Sequence, residues 1–226
     1  MNQTIESGWR SAASALILQH MWLKGIGTML FIAVFFGAYF YLLKHPASTP
    51  TPMPLIWLDQ IVDFQPMALP LYLSLYLSLW LYVSLPPLFI DTRRELYSYG
   101  LAMGLMCAAG LAIFYFWPTV VPPPDIDWSR YPDMNFLKNI DAAGNACPSL
   151  HVATALFSSR WLHRSICRIN GPRWLFAVNA IWCVGIIYST MAIRQHVAVD
   201  VGAGMLLGAI AAFMSLRQAG PNRAIG

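Results

Sequence analysis

The sequence predicts an all-α integral membrane protein, with six transmembrane helices in one bundle and both termini in the cytoplasm. Three observations carry this prediction. Hydrophobic residues make up 58% of the 226 residues and charged residues only 11%, whereas a soluble domain is about 45–50% apolar and about 25% charged. Long uncharged runs recur along the chain, and the basic residues gather in alternate loops. Such a chain has too few charges for a water-facing surface and too much apolar character for disorder.

The predicted spans follow from apolar runs long enough to cross a bilayer, which takes about 17–25 residues for a helix. The first run is too long for the apolar part of a signal peptide, so we interpret it as a retained span. The second alternates like a strand, but a lone strand cannot span lipid. The third ends at a proline-rich stretch that cannot continue a helix. The six runs are residues 26–43, 67–90, 97–117, 149–162, 174–191 and 197–216.

The basic residues predict the orientation. With the N-terminus in the cytoplasm, ten lysines and arginines lie on the cytoplasmic side, and only Lys44, Arg130, Lys138 and Arg194 lie outside. This is the positive-inside bias of membrane proteins. It places the polar segment 118–148 and the turn 192–196 together on the extracytoplasmic face.

Composition also excludes several functions. The formal net charge is +4, but the basic residues are spread over short loops and form no nucleic-acid-binding face. The four cysteines include no CxxC pair, so neither a disulfide framework nor a zinc framework is predicted. The glycine pairs Gly100–Gly104 and Gly204–Gly208 predict close helix packing inside the bundle, with a homodimer contact as the alternative.

Two polar clusters carry the candidate chemistry, residues 145–153 and 189–204. Both fall at the start of a predicted helix on the outer face. His196 and Asp200 are four residues apart, so on a helix they share a face. The carboxylate would then fix the imidazole tautomer and leave the other ring nitrogen free to attack an electrophile. His151 lies in the other cluster.

The same clusters suggest anion binding. The predicted fourth and sixth helices point their N-terminal ends at the same place, and such ends bind anions. Arg194 adds a charge suited to phosphate, and Ser149 adds a hydroxyl. Together these groups predict a phosphoryl-transfer site. Two alternatives remain: a structural polar pair, and a metal site of two histidines and an aspartate, which the charge of Arg194 would oppose.

The sequences CPSLH, residues 147–151, and STMAIRQHVAVD, residues 189–200, resemble the second and third motifs of the type 2 phosphatidic acid phosphatase superfamily. The resemblance covers residues 70–216 of a single membrane domain, and residues 1–66 form an N-terminal span and loop. The PSLH form and the RQHxxxDVxAG pattern look most like the branch that contains inositolphosphotransferases and sphingomyelin-synthase-like enzymes.

The resemblance implies a role for each matching residue. His196 would attack phosphorus, Asp200 would orient it and His151 would protonate the leaving group, while Ser149 and Ser189 would bind phosphate oxygens. The chain also departs from the family: Leu150 stands where the phosphate-binding motif has glycine, Thr190 stands where the third motif has arginine, and the first motif is missing. Phosphate contacts are then expected from Arg194, with Arg130, Lys138 and Asn145 as weaker candidates.

The function that this resemblance implies is a lipid phosphatase, without cofactor or metal, working through a phosphohistidine. Its substrate would be an amphiphilic lipid phosphate ester or diphosphate. Its place would be the bacterial inner membrane, with the site facing the periplasm. The first alternative is a phosphotransferase that moves a phospho-headgroup to an alcohol, because the same residues serve both reactions. A non-enzymatic lipid transporter or scaffold is the second.

Overall fold

The computed structural model describes residues 2–70, 82–132 and 144–220. Short 3-10 turns, Pro66–Ala68 and Trp128–Arg130, and two-residue strands connect its helices. The elements in chain order are α1 Asn2–Leu18, α2 Met21–Lys44, β1 Thr51–Pro52, α3 Trp57–Ile61, α4 Leu85–Leu88, α5 Arg93–Phe116, β2 Thr119–Val120, α6 Leu150–Arg168, α7 Arg173–Ala192 and α8 Ala198–Gln218.

Within the described residues, four helices are long and apolar enough to cross a membrane: α2, α5, α7 and α8. They correspond to the predicted first, third, fifth and sixth spans. The predicted second span, residues 67–90, has its central part, 71–81, outside the described residues. The six-span bundle and the position of the termini therefore stay predictions. Helix α1 was not predicted.

Helix α6 corresponds to the predicted fourth span but is less apolar than the others, and it runs six residues further, to Arg168. Its position explains this composition. Thirteen of its 19 residues are buried, including Thr154, Ser158 and Ser159, so α6 is the central helix and its polar side chains face protein. Trp161, for example, donates a hydrogen bond of 3.0 Å to the hydroxyl of Ser215 in α8.

Two glycines let α8 approach α6 closely. A Cβ added to Gly204 would collide with the carbonyl oxygen of Ser149, and one added to Gly208 would lie 2.5 Å from the carbonyl oxygen of Ala153. Close packing between helices is therefore confirmed for this GxxxG pair. A Cβ on Gly100 or Gly104 meets none of the described atoms within 4 Å, so the described residues give that pair no such role.

An ion cluster joins the first turn of α5 to the last turns of α6. Glu95 accepts hydrogen bonds from Arg164 and Arg168 at 2.7–2.8 Å, and Arg168 also pairs with Asp91 at 2.7 Å. We predicted the arginines of this region to be determinants of membrane orientation. The structure adds a second role, which is to join the end of α6 to the start of α5. Buried charges need partners, and Arg164 and Arg168 pair with carboxylates at the start of α5.

Candidate active site

The first turns of α6 and α8 lie side by side and bring the two predicted polar clusters together. The amide of Ser149, just before α6, donates a 3.0 Å hydrogen bond to the carbonyl oxygen of Asp200 in α8. This contact places His151, the second residue of α6, against His196. The Nδ1 atom of His151 lies 3.0 Å from the Nε2 atom of His196.

Asp200 contacts the other side of His196. One carboxylate oxygen lies 2.8 Å from Nδ1 of His196, and the other accepts a 2.7 Å hydrogen bond from the amide of Val197. The predicted contact is present, but the predicted reason for it is wrong. His196 precedes α8 and does not share a helical face with Asp200. The carboxylate folds back from the first turn of the helix, as a capping side chain does.

The contacts fit one arrangement of protons along the three side chains. With the proton of His196 on Nδ1, the fully buried carboxylate of Asp200 accepts a hydrogen bond from it, and the Nε2 lone pair of His196 points at Nδ1 of His151. His151 then occupies the direction that any other partner of Nε2 would need, so one of the two rings must turn before Nε2 can reach an electrophile. We call this closed arrangement the resting state.

Ser149 and Leu150 begin α6. The hydroxyl oxygen of Ser149 accepts a 3.3 Å hydrogen bond from the amide of Val152, which is the usual role of a serine at an N-cap. The side chain of Leu150 packs in the apolar core against Gly110 of α5, whose missing side chain leaves room for it. Any contact between Leu150 and a phosphate would therefore come from its backbone amide.

Ser189 and Thr190 lie in the last turn of α7, and both hydroxyls form hydrogen bonds within that helix. They donate to the carbonyl oxygens of Ile186 and Ile187, each at 2.8 Å. The carbonyl oxygen of Thr190 accepts from the amides of Gln195 and His196. In this resting state the last turn of α7 therefore shapes the loop that carries His196, and the expected contact of Ser189 with phosphate stays a prediction.

Arg194 has a left-handed backbone, with φ of 59°, and its guanidinium donates a 2.9 Å hydrogen bond to the carbonyl oxygen of Asp59. The side chain lines a cleft of about 480 Å³ together with Asp63 and Asp125. This cleft is separate from the cavity beside the histidines. The expected phosphate contact of Arg194 stays a prediction, since its side chain lines this cleft and not the histidine cavity.

The N-terminal end of α8 is already occupied by carboxylates. Asp59, in the short helix α3, accepts a 2.7 Å hydrogen bond from the amide of Ala198, and Asp200 takes the amide of Val197. Carboxylates therefore already take two amides at this helix end, and its expected role as an anion site stays a prediction. Asp59 was not among the residues predicted for the site, because Ala198 and Arg194 lie more than 130 residues away along the chain.

The weaker phosphate candidates have different surroundings. Arg130 is exposed and pairs with Asp127 at 3.1 Å. Hydrogen bonds from Ser129 lower the pKa of Asp127, and Arg130 adds to the effect. Lys138 lies outside the described residues. Asn145, by contrast, is buried and lines the same cavity as both histidines, and it too has a left-handed backbone, with φ of 53°.

The cavity beside the histidines has an apolar wall. Three aromatic residues of α2 form much of it, and Phe114 of α5 and Leu150 complete it. The free space is about 20 Å³, room for about one water. Sequence analysis did not connect α2 with the site. The residues that line this cavity are Phe35, Phe36, Tyr39, Phe114, Asn145, Leu150, His151, Thr154 and His196.

Comparison with known proteins agrees with this geometry. The model of the PAP2 superfamily matches residues 92–224, a stretch that contains both histidine clusters and α5 to α8. No curated protein and no solved structure matches the chain. The match covers more than half of the chain, and the apolar helices fit an integral membrane protein. The chain therefore belongs to the PAP2 superfamily, a membership that supports an enzyme of the phosphatase type acting on phosphate esters.

Proposed function

We propose that this protein is a lipid phosphatase that hydrolyses the phosphate ester or diphosphate of an amphiphilic lipid through a phosphohistidine on His196. The observation that carries the proposal is the hydrogen-bonded series Asp200, His196 and His151 at the edge of an apolar cavity. A buried carboxylate, a candidate nucleophile and a candidate acid stand in line, and an apolar wall lies next to them.

In the first step the Nε2 lone pair of His196 attacks phosphorus. The N–P bond forms while the P–O bond to the lipid breaks. His151 enters this step protonated on both ring nitrogens, gives one proton to the departing oxygen and is left as the neutral imidazole. The imidazole of His196 gains positive charge as the bond forms. Asp200 stabilises that charge from Nδ1, as the buried aspartate of a catalytic triad does.

In the second step water attacks the phosphohistidine. His151, now without the proton it gave away, accepts one from the water, and the O–P bond forms as the N–P bond breaks. Inorganic phosphate leaves and both histidines return to their starting protonation. The 3.0 Å contact between the rings must open for substrate to enter and can reform after phosphate leaves.

Charge that builds on the phosphoryl oxygens needs donors. We assign this role to the hydroxyl of Ser149, the amide side chain of Asn145 and the backbone amides at the start of α6, where the helix dipole also favours an anion. Arg194 contributes only if its side chain turns from the neighbouring cleft toward the histidines. The two histidines supply both acid and base, so we propose that the reaction proceeds without a metal.

A metal held between the two rings is disfavoured by geometry. A zinc ion lies about 2.0–2.1 Å from each histidine nitrogen, and at such distances tetrahedral ligand nitrogens stand farther apart than the 3.0 Å seen between His151 and His196. The second nitrogen of His196 already contacts Asp200. The hydrogen-bonded arrangement therefore favours acid–base chemistry over metal binding.

The location we propose is the extracytoplasmic face of a bacterial inner membrane. The excess of basic residues on the loops at the other end of the helices supports this orientation. Lipid could then reach the site sideways from the outer leaflet, because the candidate site lies at the end of α6 and α8 and not at their middle.

The test is phosphate release by purified protein in detergent with EDTA, from phosphatidate, a prenyl diphosphate and phosphatidylglycerophosphate. We expect release from at least one lipid, and a loss on the order of 10³-fold in His196→Ala. His45→Ala is the matched control, since His45 is exposed and does not line the histidine cavity, and it should keep full activity.

Two results would overturn the proposal. Equal phosphate release by wild type and His196→Ala would exclude the histidine as nucleophile. Transfer of labelled phosphate to an added alcohol, without free phosphate, would replace hydrolysis with phosphotransfer, the reaction that the PSLH form of the motif also suggests.

A further inference from the structure

Helix α2 lies outside the residues that match the family, yet it forms the apolar wall of the histidine cavity. Phe35 and Phe36 are partly buried there, and Tyr39 is buried. Apart from Lys24 and Ile32, the other described side chains of α2 are partly or fully exposed, and only 11% of its most apolar stretch is buried. A ligand could therefore enter beside α2 directly from the bilayer.

A second cavity of about 500 Å³ lies between α2 and α5, nearer to the N-terminal end of α2. We call the interface between α2 and α5 that contains both cavities the seam. The wall of this second cavity is almost entirely apolar or aromatic. The residues that form it include Leu23, Gly27 and Phe31 of α2 and Leu96, Gly100 and Met103 of α5.

Each of the two cavities is lined by one ring of a stacked pair on α2. Phe31 lines the larger cavity and Phe35 lines the histidine cavity. Their rings are stacked, with centroids 6.1 Å apart and planes 8° from parallel. A chain that entered from the histidines would have to pass this pair to reach the larger cavity.

The seam is long compared with one leaflet of a bilayer. Leu23 and Tyr39 are sixteen residues apart on one helix, which at 1.5 Å per residue is about 24 Å. The hydrocarbon core of a bilayer is about 30 Å thick, so a seam of about 24 Å extends past the midplane. An occupant that fills it is longer than a chain confined to one leaflet.

The end of the seam away from the histidines contains one charged side chain, and its charge is hydrogen-bonded. Lys24 is buried there, and its ammonium donates to the carbonyl oxygens of Leu16 and Leu88. These hydrogen bonds direct its charge at backbone groups, so an anionic headgroup is the less suitable occupant. An apolar chain suits the remaining surface, because each buried methylene gains free energy from leaving water or detergent contact.

We propose that the seam between α2 and α5 binds a single long hydrocarbon chain of the substrate, with its phosphate at His151 and His196 and its tail past Phe31 and Phe35 in the larger cavity. This inference rests on the proposed function and deepens it. It names the substrate class as the phosphate ester or diphosphate of one long-chain alcohol, and it makes α2 the element that selects chain length.

The test is a series of single-chain alkyl or prenyl phosphates of increasing length, with the water-soluble p-nitrophenyl phosphate as the tail-free reference. Gly27→Phe should fill the larger cavity, since a Cβ at Gly27 meets no atom of the described residues within 4 Å. We expect kcat/KM of this variant to fall at least about tenfold for chains longer than about 15 Å, the thickness of one leaflet, and to stay unchanged for short chains and p-nitrophenyl phosphate.

Gly25→Phe is the matched control, because Gly25 is equally open but does not line the cavity, and it should match wild type throughout.

A second variant guards against misfolding of the first. Phe31→Ala removes half of the ring stack and should change kcat/KM for long chains only. If both variants follow wild type at every length, or lose short and long substrates alike, the inference is overturned. If p-nitrophenyl phosphate and all lipids lack turnover that depends on His196, the proposed function itself has failed, which separates the two outcomes.

Discussion

The carboxylate of Asp59 accepts a 2.7 Å hydrogen bond from the amide of Ala198, the first residue of the helix that follows His196. Its other oxygen accepts from the amide of Ile56 at 2.8 Å, and its carbonyl oxygen accepts from Arg194. Asp59 is only 5% exposed. One residue from outside the family-matched region therefore holds both the start of α8 and the loop that carries His196.

The first prediction concerns this anchor. Asp59→Ala leaves two amides without an acceptor, at a cost of about 1–3 kcal/mol for each one that stays buried. We expect a lower melting temperature in detergent and a fall in turnover. Asp59→Asn retains one acceptor oxygen and should lose less. The control is Asp63→Ala, at an exposed carboxylate nearby. An Asp59→Ala protein that melts and turns over like wild type would show that the anchor is unimportant.

The second prediction concerns the contact between α6 and α8. A methyl group at Gly204 would collide with the carbonyl oxygen of Ser149, so Gly204→Ala should push the two helices apart and separate His151 from His196. We expect turnover to fall at least tenfold, with lower stability. Gly202→Ala is the matched control, because its methyl group meets none of the described atoms within 4 Å and alanine favours a helix over glycine. Equal activity of the two variants would contradict the close approach.

The third prediction concerns pH and the thiol of Cys147, next to the start of α6. Burial raises the pKa of this thiol, and the charge of Asp200 raises it further. The thiolate is the reactive form, so a raised pKa means less thiolate at neutral pH. Iodoacetamide should label Cys147 slowly at pH 7–8 and faster only above the usual range of a thiol, about 8.5. Exposed Cys167 is the internal comparison, and equal labelling rates by mass spectrometry would refute the prediction.

The fourth prediction concerns orientation, and Cys167 reports it. This cysteine lies one residue from the end of α6, at the end of the bundle away from the histidines. In a variant that retains only Cys167, a membrane-impermeant maleimide should label inverted vesicles and leave intact spheroplasts unlabelled. Labelling of intact spheroplasts would reverse the proposed orientation and put the histidines on the cytoplasmic side.

The parts of the site that the sequence could predict are local. His196 and Asp200 are four residues apart, and the helix start between them can be identified from the pattern. The contact between His151 and His196 depends on two helix starts that lie side by side, an arrangement that the family resemblance implied. Even here the geometry differed, because Asp200 reaches His196 as a cap and not along a helical face.

The parts that could not be predicted depend on contacts distant in sequence. Arg194 is a suitable phosphate ligand by residue type, but a carbonyl oxygen of residue 59 takes its hydrogen bond. Nothing in the local pattern around Asp59 indicates that it caps Ala198. The aromatic residues of α2 look like any lipid-facing run until the fold places Phe35, Phe36 and Tyr39 beside the histidines.

The most direct test of the central claim is to trap the phosphohistidine. Enzyme mixed with phosphorus-labelled lipid is quenched in alkali within milliseconds, digested and analysed by mass spectrometry. We predict an acid-labile, alkali-stable phosphate on the peptide that contains His196. It should be absent from His196→Ala. With p-nitrophenyl phosphate, whose leaving group needs no proton, it should accumulate in His151→Ala, where the base for the second step is missing. Steady turnover of the lipid with no phosphate on His196 at any time, or with phosphate on a different residue, would contradict the account.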